Sequence, residues 1–261
     1  MKNNKLGQYY ERLACEGGFE ARCHMELPER SLVGARIVNV GCRRGKGTYK
    51  LSEQVGEGGF VIGIDWNEAF VEAARAGVPK ALERSGLSRC NMAFRIGFPE
   101  DLAAAGIEDG WADFVYLNSS LSLFASPVRA LEECCRVLAP GGVLLAEVPV
   151  AVPSGDGLAY CNGVARADAE GSARADGSGD ATGAADRAAI VKAARVLPNA
   201  VQAAPTFDEL LAWLAAAGFS EPVIRGERPL SPEEGSALDR RAATVPGDDG
   251  VYRLLSIEVS K

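Results

Sequence analysis

One segment constrains the fold more than any other: a β-branched run, a glycine-rich turn and a helical pattern follow one another directly. Residues 36–41 form a short run of branched apolar side chains ending in glycine, which is typical of a buried strand. Gly41, Gly45 and Gly47 then let the backbone turn sharply and approach a ligand closely. Residues 45–55 are predicted to form a helix, whose N-terminus offers free N–H groups and partial positive charge.

The same alternation continues along the chain. Strands are predicted at 60–65, 92–96, 112–117 and 143–150, and helices at 67–76 and 127–138. Asn67 and Ser126 are the expected N-caps, and Pro140-Gly141-Gly142 is predicted to be a turn. Strands that alternate with helices of this length predict an α/β protein with a mostly parallel sheet and helices on both faces.

The C-terminal part has a different composition. Residues 154–187 are mostly Gly, Ala, Asp and Ser, and bury too little apolar surface to offset chain entropy, so a flexible loop is expected. Regular structure resumes near residue 188. A helix is predicted at 206–217, with Thr206 and Glu209 as a capping box and Gly218 after its end. Residues 222–225 and 251–259 are predicted strands, the second antiparallel or at an edge.

Composition excludes several classes of function. The formal net charge is -7 and the pI is about 5.0, which argues against nucleic acid as the main partner. The apolar runs are too short to cross a bilayer and the N-terminus is polar, so no membrane partner and a cytoplasmic location are expected. The seven cysteines form no CxxC pair, and His24 is the only histidine, so neither disulfides nor a metal site is expected.

The acid that ends the second strand indicates the ligand. Asp65 lies about two dozen residues after Gly41, where a carboxylate can hold two ribose hydroxyls. Glycine turn, helix, strand and acid together predict a nucleoside-type ligand across the C-terminal ends of the strands. Dinucleotides and S-adenosylmethionine (SAM) both remain possible on these grounds.

Two motifs resemble those of class I SAM-dependent methyltransferases. Ile37-Val-Asn-Val-Gly-Cys-Arg-Arg-Gly45 resembles the first motif of that superfamily, and Arg136-Val-Leu-Ala-Pro-Gly-Gly142 resembles the turn before its fifth strand. The resemblance implies a Rossmann-like, seven-stranded, mostly parallel sheet with an antiparallel last strand, and SAM as cofactor. It divides the chain into an N-terminal cap (1–30), a SAM-binding core (31–153), the loop (154–187) and a C-terminal part completing the sheet (188–261).

A narrower resemblance is to the arsenite methyltransferase family. It rests on residues 95–102, 105–109 and 112–118, on 197–219, and on Gln8-Tyr-Tyr10, which is similar to paired tyrosines near the cofactor in that family. Trp66 matches the neighbour that packs on adenine. The cofactor contacts that the resemblance implies are Tyr10, Asn39, Gly41, Cys42, Gly45, Asp65, Trp66, Gly97, Phe98 and Asn118.

The chain departs from both patterns at the site. Asn39 stands where the superfamily usually has a carboxylate, and Arg43 replaces the middle glycine; Arg43 and Arg44 are expected to point to solvent. Ser119 stands at one position, and Ala200 near another, where the resemblance expects an arsenic-binding cysteine. The candidate substrate residues are Ser119, Ser120, Glu147, Cys23 and His24.

The resemblance therefore predicts methyl transfer from SAM to a small molecule other than arsenite. The departures favour an alternative, a non-catalytic protein of this fold that binds SAM or another nucleoside. A nicotinamide-dependent reductase is a third reading, which the Pro-Gly-Gly turn and the lack of a Tyr-x-x-x-Lys pair disfavour.

Overall fold

The computed structural model describes residues 4–11, 27–28, 30–152, 203–230 and 251–261. These ranges contain five α-helices, seven β-strands and a single 3₁₀ turn at Leu121–Leu123. The helices are α1 Asn4–Tyr10, α2 Lys46–Val55, α3 Glu68–Ser85, α4 Pro127–Val137 and α5 Phe207–Ala216. The strands are β1 Arg36–Val40, β2 Phe60–Asp65, β3 Met92–Ile96, β4 Ala112–Asn118, β5 Leu138–Val152, β6 Val223–Pro229 and β7 Val251–Ser260.

The strands form one sheet in the order β3-β2-β1-β4-β5-β7-β6. Strands β3, β2, β1, β4 and β5 pair in parallel, whereas β7 is antiparallel to both β5 and β6. This confirms the predicted seven-stranded sheet with an antiparallel last strand. Strand order reverses between β1 and β4, and in open α/β sheets ligands bind outside the carboxyl ends of the strands at that point.

The sheet separates two cores. One face packs on α4 and α5 through side chains such as Val115, Leu131 and Leu210, all fully buried. The opposite face packs on α2 through Ile37, Leu51 and others. Helices on both faces follow the prediction. No helix in these described ranges is long and apolar enough to cross a membrane.

Most predicted elements agree with the structure to within a few residues, but α3 was predicted too short. It continues beyond residue 76 to Ser85, through Pro79, and ends at Gly86 in the left-handed conformation. Ala74 and Ala81 bury one side of the helix against the cluster that contains Phe94. This packing holds the helix together although Pro79 cannot donate its backbone hydrogen bond.

The Pro-Gly-Gly segment also differs from its prediction as a separate turn. Strand β5 begins at Leu138, which pairs with Ala112, and the next pair is Phe114 with Val143. Residues 139–142 therefore bulge out of a longer strand, with Gly141 at φ +74°. Strand β6 runs to Pro229 rather than 225. Strand β7 is antiparallel, one of the two predicted alternatives, and lies inside the sheet.

The predicted caps are present. Asn67 accepts a hydrogen bond from the Phe70 N–H, and Ser126 accepts one from the Arg129 N–H. Thr206 and Glu209 form both halves of the capping box at the start of α5. The loop predicted at 154–187 and the resumption near 188 lie outside the described residues, so the division of the chain into four segments stays a prediction.

Candidate functional site

The glycine turn between β1 and α2 forms one wall of the site. Gly41 (φ +75°) and Gly45 (φ +84°) both have the left-handed conformation that glycine adopts without strain. The N–H groups of Gly41 and Cys42 donate to the Ile64 carbonyl, which ties the turn to β2. A Cβ at Gly45 would lie 2.9 Å from the rings of Phe94 and Tyr49, so only glycine fits here without displacing them.

Asp65 lies beside this turn at the end of β2. Its carboxylate is 1% exposed and accepts the Arg43 N–H at 2.8 Å on Oδ2 and the Asn67 N–H at 2.9 Å on Oδ1. Burial raises the pKa of Asp65 to about 6, although these two N–H donors favour the ionised form. A carboxylate has about four lone-pair positions, so acceptor capacity remains for the two hydroxyls of a ribose.

Arg44 is exposed, as the sequence predicted, whereas Arg43 is half-buried, which the sequence did not predict. The guanidinium carbons of Arg43 and Arg44 each lie 5.3 Å from the centre of the Phe70 ring on α3. Arg43 has φ +48°, an uncommon conformation for a residue with a side chain. Its side chain packs on α3, while its backbone N–H donates a hydrogen bond to Asp65.

Asn39 and Cys42 are both buried at the turn. The Asn39 amide donates to Thr48 Oγ1 on α2 at 3.0 Å. Burial raises the pKa of the Cys42 thiol, and the Asp65 charge adds to the effect. Cys42 is therefore a protonated, weakly nucleophilic group at neutral pH.

The C-terminal end of β4 brings polar atoms to the same edge. Ser119 has φ +51° and its N–H donates to the Glu147 carbonyl. Ser120 is 3% exposed, and its Oγ lies 3.0 Å from the point where a Gly41 Cβ would be. Ser120 Oγ and Asn118 Oδ1 are buried without a hydrogen-bond partner in the structure. Buried polar atoms of this kind are costly unless a ligand or water satisfies them.

Glu147 lies in register with Asn118 on the neighbouring strand. It lines a small, open cleft together with Tyr116, Ser256 and Arg225. The structure thus brings Ser119, Ser120 and Glu147 to adjoining positions. Cys23 and His24 lie outside the described residues.

An aromatic cluster borders Asp65 on its other side. Tyr10 of α1 stacks on Trp66, with ring centres 4.4 Å apart, and on Phe98, with ring centres 5.5 Å apart. The Gly97 N–H donates to the Asp65 carbonyl, which fixes the start of the loop that carries Phe98. Tyr10, Trp66, Gly97 and Phe98 therefore lie together, as the resemblance implied.

Two carboxylates at the site escaped sequence reasoning. Glu100 is 4% exposed and accepts hydrogen bonds from the Tyr10 hydroxyl and the Ser126 N–H. Glu133 accepts the Leu102 and Ala103 N–H groups and pairs with Arg136, which also reaches the Ile107 carbonyl. Glu133 thereby attaches the loop after β3 to helix α4. In the sequence, Glu100 and Glu133 are simply acids among apolar residues. Helices on protein surfaces show the same pattern, so it does not indicate a buried carboxylate.

The fold and this site define a doubly wound α/β protein with a nucleoside-type site at the reversal of strand order. The sequence profile of the methyltransferase domain family matches residues 32–173, more than half of the chain. The chain therefore belongs to the methyltransferase domain family, which implies SAM as its cofactor, and the nicotinamide reductase reading is wrong. The Asp65 carboxylate and the unsatisfied Ser120 and Asn118 atoms fit such a ligand.

Arsenite methyltransferases are among the proteins with a similar sequence. The mouse protein (Mus musculus) is 38% identical over 122 residues, which is 47% of this chain and 32% of that protein. The protein from Aquipseudomonas alcaligenes is 34% identical over 113 residues, which is 43% of this chain and 32% of that protein. The match thus spans about a third of the length of these relatives.

Among solved structures, an arsenic(III) S-adenosylmethionine methyltransferase from Chlamydomonas reinhardtii superposes with a TM-score of 0.65. It is 23% identical, and the superposition covers 92% of this chain and 67% of that one. The likeness confirms the fold. The superposition covers a larger share of the chain than the family profile does.

Proposed function

We propose that this protein binds SAM and transfers its methyl group to a small-molecule acceptor other than arsenite. The observation that carries the proposal is the convergence of the Asp65 carboxylate and the unsatisfied Ser120 hydroxyl on one glycine turn. A ligand there can satisfy a carboxylate with two hydroxyls and a buried serine with a polar group. Both atoms belong to the end of the sheet where such ligands bind.

Each residue of the site has a distinct task in this proposal. Asp65 holds the ribose hydroxyls, and Trp66 offers a ring face to the adenine. Asn39, Asn118 and Ser120 orient the amino-acid end through neutral hydrogen bonds. When bound, SAM supplies an electrophilic methyl group. The main task of the protein is then to hold the acceptor in line with that methyl group.

The acceptor side is formed by Ser119 and Glu147, and Ser120 is assigned to the cofactor. Glu147 is 2% exposed and lies beside the end of β4, where a carboxylate can accept a proton from an incoming hydroxyl or amine. Ser119 supplies a hydroxyl where the family resemblance expects a thiol. A hydroxyl is a hard ligand and gives soft trivalent arsenic little affinity, which favours an oxygen or nitrogen acceptor.

The described cysteines are placed for other roles. Cys134 is fully buried in the core, and Cys42 is buried beneath the turn. Cys135 lies beside Gly218 at the end of α5, with its Sγ 3.8 Å from where a Gly218 Cβ would be. Cys90 is exposed, two residues before β3. These thiols belong to different parts of the fold and do not converge on Ser119.

Calorimetric titration with SAM and with S-adenosylhomocysteine tests the cofactor. We expect both to bind to the natural protein and to Glu68→Gln, which removes an exposed carboxylate three residues from Asp65. The Asp65→Asn variant should bind neither tightly. Absence of heat with the natural protein would refute the proposal.

The acceptor is tested by following S-adenosylhomocysteine formation with separate panels of alcohols, amines, carboxylates and thiols. Arsenite with a thiol reductant is the comparison reaction. Turnover of an oxygen or nitrogen acceptor supports the proposal, and Glu147→Gln should lower that turnover more than it lowers SAM affinity. Arsenite turnover above that of every panel would contradict the assignment of the acceptor.

Asn39 favours a second candidate, a non-catalytic binder of SAM or its product. Its neutral amide donates to Thr48, so it gives a cationic ligand no charge at this point of the turn. Binding of SAM without product formation in any panel would support this candidate. Asn39→Asp would then raise affinity for SAM more than for uncharged adenosine.

A further inference from the structure

Two non-glycine residues in the described parts of the chain have a left-handed backbone, Arg43 with φ +48° and Ser119 with φ +51°. Both lie at the candidate site, one in the glycine turn and the other directly after β4. This conformation is uncommon for residues with a side chain, and backbone strain of this kind is concentrated at functional sites. The N–H of Arg43 donates to Asp65, whereas the proposed function gives the backbone of Ser119 no role.

The left-handed residue follows a regular end of β4. Asn118 pairs in register with Glu147, and the Ser119 N–H donates to the Glu147 carbonyl at 2.8 Å, so the parallel hydrogen bonding continues up to this residue. Ser120 then has φ -104° and ψ -19° and leads into the 3₁₀ turn at Leu121–Leu123. The chain therefore leaves the direction of the strand within a single residue, and that residue is Ser119.

The change of direction places Ser120 opposite the glycine turn. Its Oγ lies 3.0 Å, and its Cβ 3.2 Å, from the point where a Gly41 Cβ would be. Gly41 follows Val40, which pairs with Leu117, so the two residues face each other across the reversal of strand order. The Ser120 hydroxyl is buried and has no hydrogen-bond partner among the described residues. A polar atom in this position is costly unless a ligand or water bonds to it.

Apolar packing holds the strained conformation. Leu121, Leu123 and Phe124 are at most 2% exposed, and the Leu123 N–H donates to the Ser120 carbonyl at 2.9 Å. A relaxed φ at Ser119 would move these side chains out of the core. Their burial therefore stabilises a backbone that Ser119 by itself would not favour.

We propose that Ser119 is a positioning residue for the cofactor: its left-handed backbone holds the Ser120 hydroxyl opposite Gly41, within reach of the amino-acid end of SAM. The inference rests on the proposed binding of SAM with its ribose at Asp65. Because Ser119 acts through Ser120, it affects a ligand that has an amino-acid end and not adenosine, which lacks one. The backbone conformation of Ser119, rather than its hydroxyl, has this role.

Two substitutions at Ser119 separate the backbone from the hydroxyl. Ser119→Thr keeps the hydroxyl but adds a β-branch, which makes the left-handed conformation costly, whereas Ser119→Ala lacks both. In calorimetry, Ser119→Thr should bind S-adenosylhomocysteine about tenfold more weakly than Ser119→Ala, the size expected for one lost hydrogen bond. Adenosine should not distinguish the two variants. Ser122→Thr adds the same methyl group at a buried position outside the left-handed region, and should bind as the natural protein does.

A double substitution tests whether Ser119 acts through Ser120. Ser120→Ala alone should weaken binding of S-adenosylhomocysteine about tenfold. In that background, Ser119→Thr and Ser119→Ala should bind this ligand equally, because the hydroxyl that they place differently is gone.

Several results would overturn the proposal and leave the proposed function standing. These are equal binding of S-adenosylhomocysteine by the two Ser119 variants, tighter binding by Ser119→Thr, and a difference that persists without the Ser120 hydroxyl or appears with adenosine. Full affinity of Ser120→Ala would also overturn it, whether or not Ser119→Thr folds. If the natural protein bound neither ligand, the proposed function itself would be refuted.

Discussion

Replacement of Asp65 by asparagine tests the centre of the site. The carboxylate is 1% exposed and already accepts two backbone N–H groups, one from the glycine turn and one from the start of α3. Asparagine keeps one acceptor oxygen and places an NH₂ group opposite one of those donors. The variant therefore loses the negative charge and at least one acceptor in a single change.

The magnitude follows from the ligand's two hydroxyls. A hydrogen bond to a charged group contributes about 1.5–3 kcal/mol, so losing two of them costs about 3 kcal/mol or more. Since every 1.4 kcal/mol is tenfold in affinity, Asp65→Asn should weaken S-adenosylhomocysteine binding by about a hundredfold. Glu68→Gln should change affinity by less than a factor of about two, because surface charges contribute little.

The pH dependence has a sign that can be worked out. Burial raises the pKa of Asp65 from 3.8 to about 6, so the free site is protonated below that pH and can no longer receive both hydroxyls as a carboxylate. Affinity of the natural protein should fall by up to about tenfold per unit as pH drops below about 6. The Asp65→Asn variant should show no such fall.

The same pKa affects stability in the opposite sense. A raised folded pKa means that the folded chain holds the proton more tightly, so the stabilisation is complete below the unfolded pKa and is lost as pH rises through about 6. A shift of about two units corresponds to about 3 kcal/mol. Urea unfolding at pH 5 and pH 7.5 should show about 1.4 kcal/mol of this loss in the natural protein, the part that falls above pH 5, and a smaller loss in Asp65→Asn. Equal affinity of the two proteins at pH 7.5, or parallel pH profiles, would refute the assignment of Asp65 to the ribose.

Substitutions at three further positions test the residues that support the site and the fold, namely Arg43, Glu133 and Thr206. Arg43→Gly should be about 1 kcal/mol more stable than Arg43→Ala in urea unfolding, because both lose the contact with Phe70 but only glycine relieves φ +48°; equal stabilities would show that no strain resides there. Glu133→Ala should destabilise the protein by about 3 kcal/mol, because it leaves Arg136 and two N–H groups of the loop after β3 without their carboxylate. Cofactor affinity should fall with the stability, whereas Glu132→Ala, at a half-buried neighbour that pairs with Arg129, should alter neither. Thr206→Ala should cost about 1 kcal/mol by removing the capping box of α5, measured as a lower thermal midpoint with unchanged cofactor binding.

The local elements of the fold follow from sequence because their causes are local. Strand β2, strand β3 and the capping box at Thr206 were predicted at or within a residue of their ends, since apolar periodicity and capping side chains act over neighbouring residues. Helix α3 was predicted too short because Gly77 and Pro79 are local breakers. Its continuation depends on Ala74 and Ala81 packing against a cluster that includes strand β3.

The candidate site also has a part that the sequence predicted and a part that it did not. Asp65, Gly41 and Gly45 could be assigned from sequence, because a glycine turn and an acid at a fixed interval along a strand–helix–strand unit determine where they lie. The tertiary contacts of Arg43, Glu100 and Tyr10 could not. The Arg43 guanidinium lies over a ring of α3, Glu100 bonds a tyrosine 90 residues earlier, and Tyr10 covers Trp66 from the other end of the chain.

The sequence by itself thus determined the order of the elements, the sheet they build and the edge of the sheet where the proposed nucleoside site lies, because these depend on periodicity and short-range turn chemistry. Only the tertiary structure decided which buried polar atoms lack partners and which ring covers the indole of Trp66. Those properties arise where segments far apart in the chain meet, and burial at such contacts sets the pKa of Asp65 and the stacking of Tyr10 on Trp66.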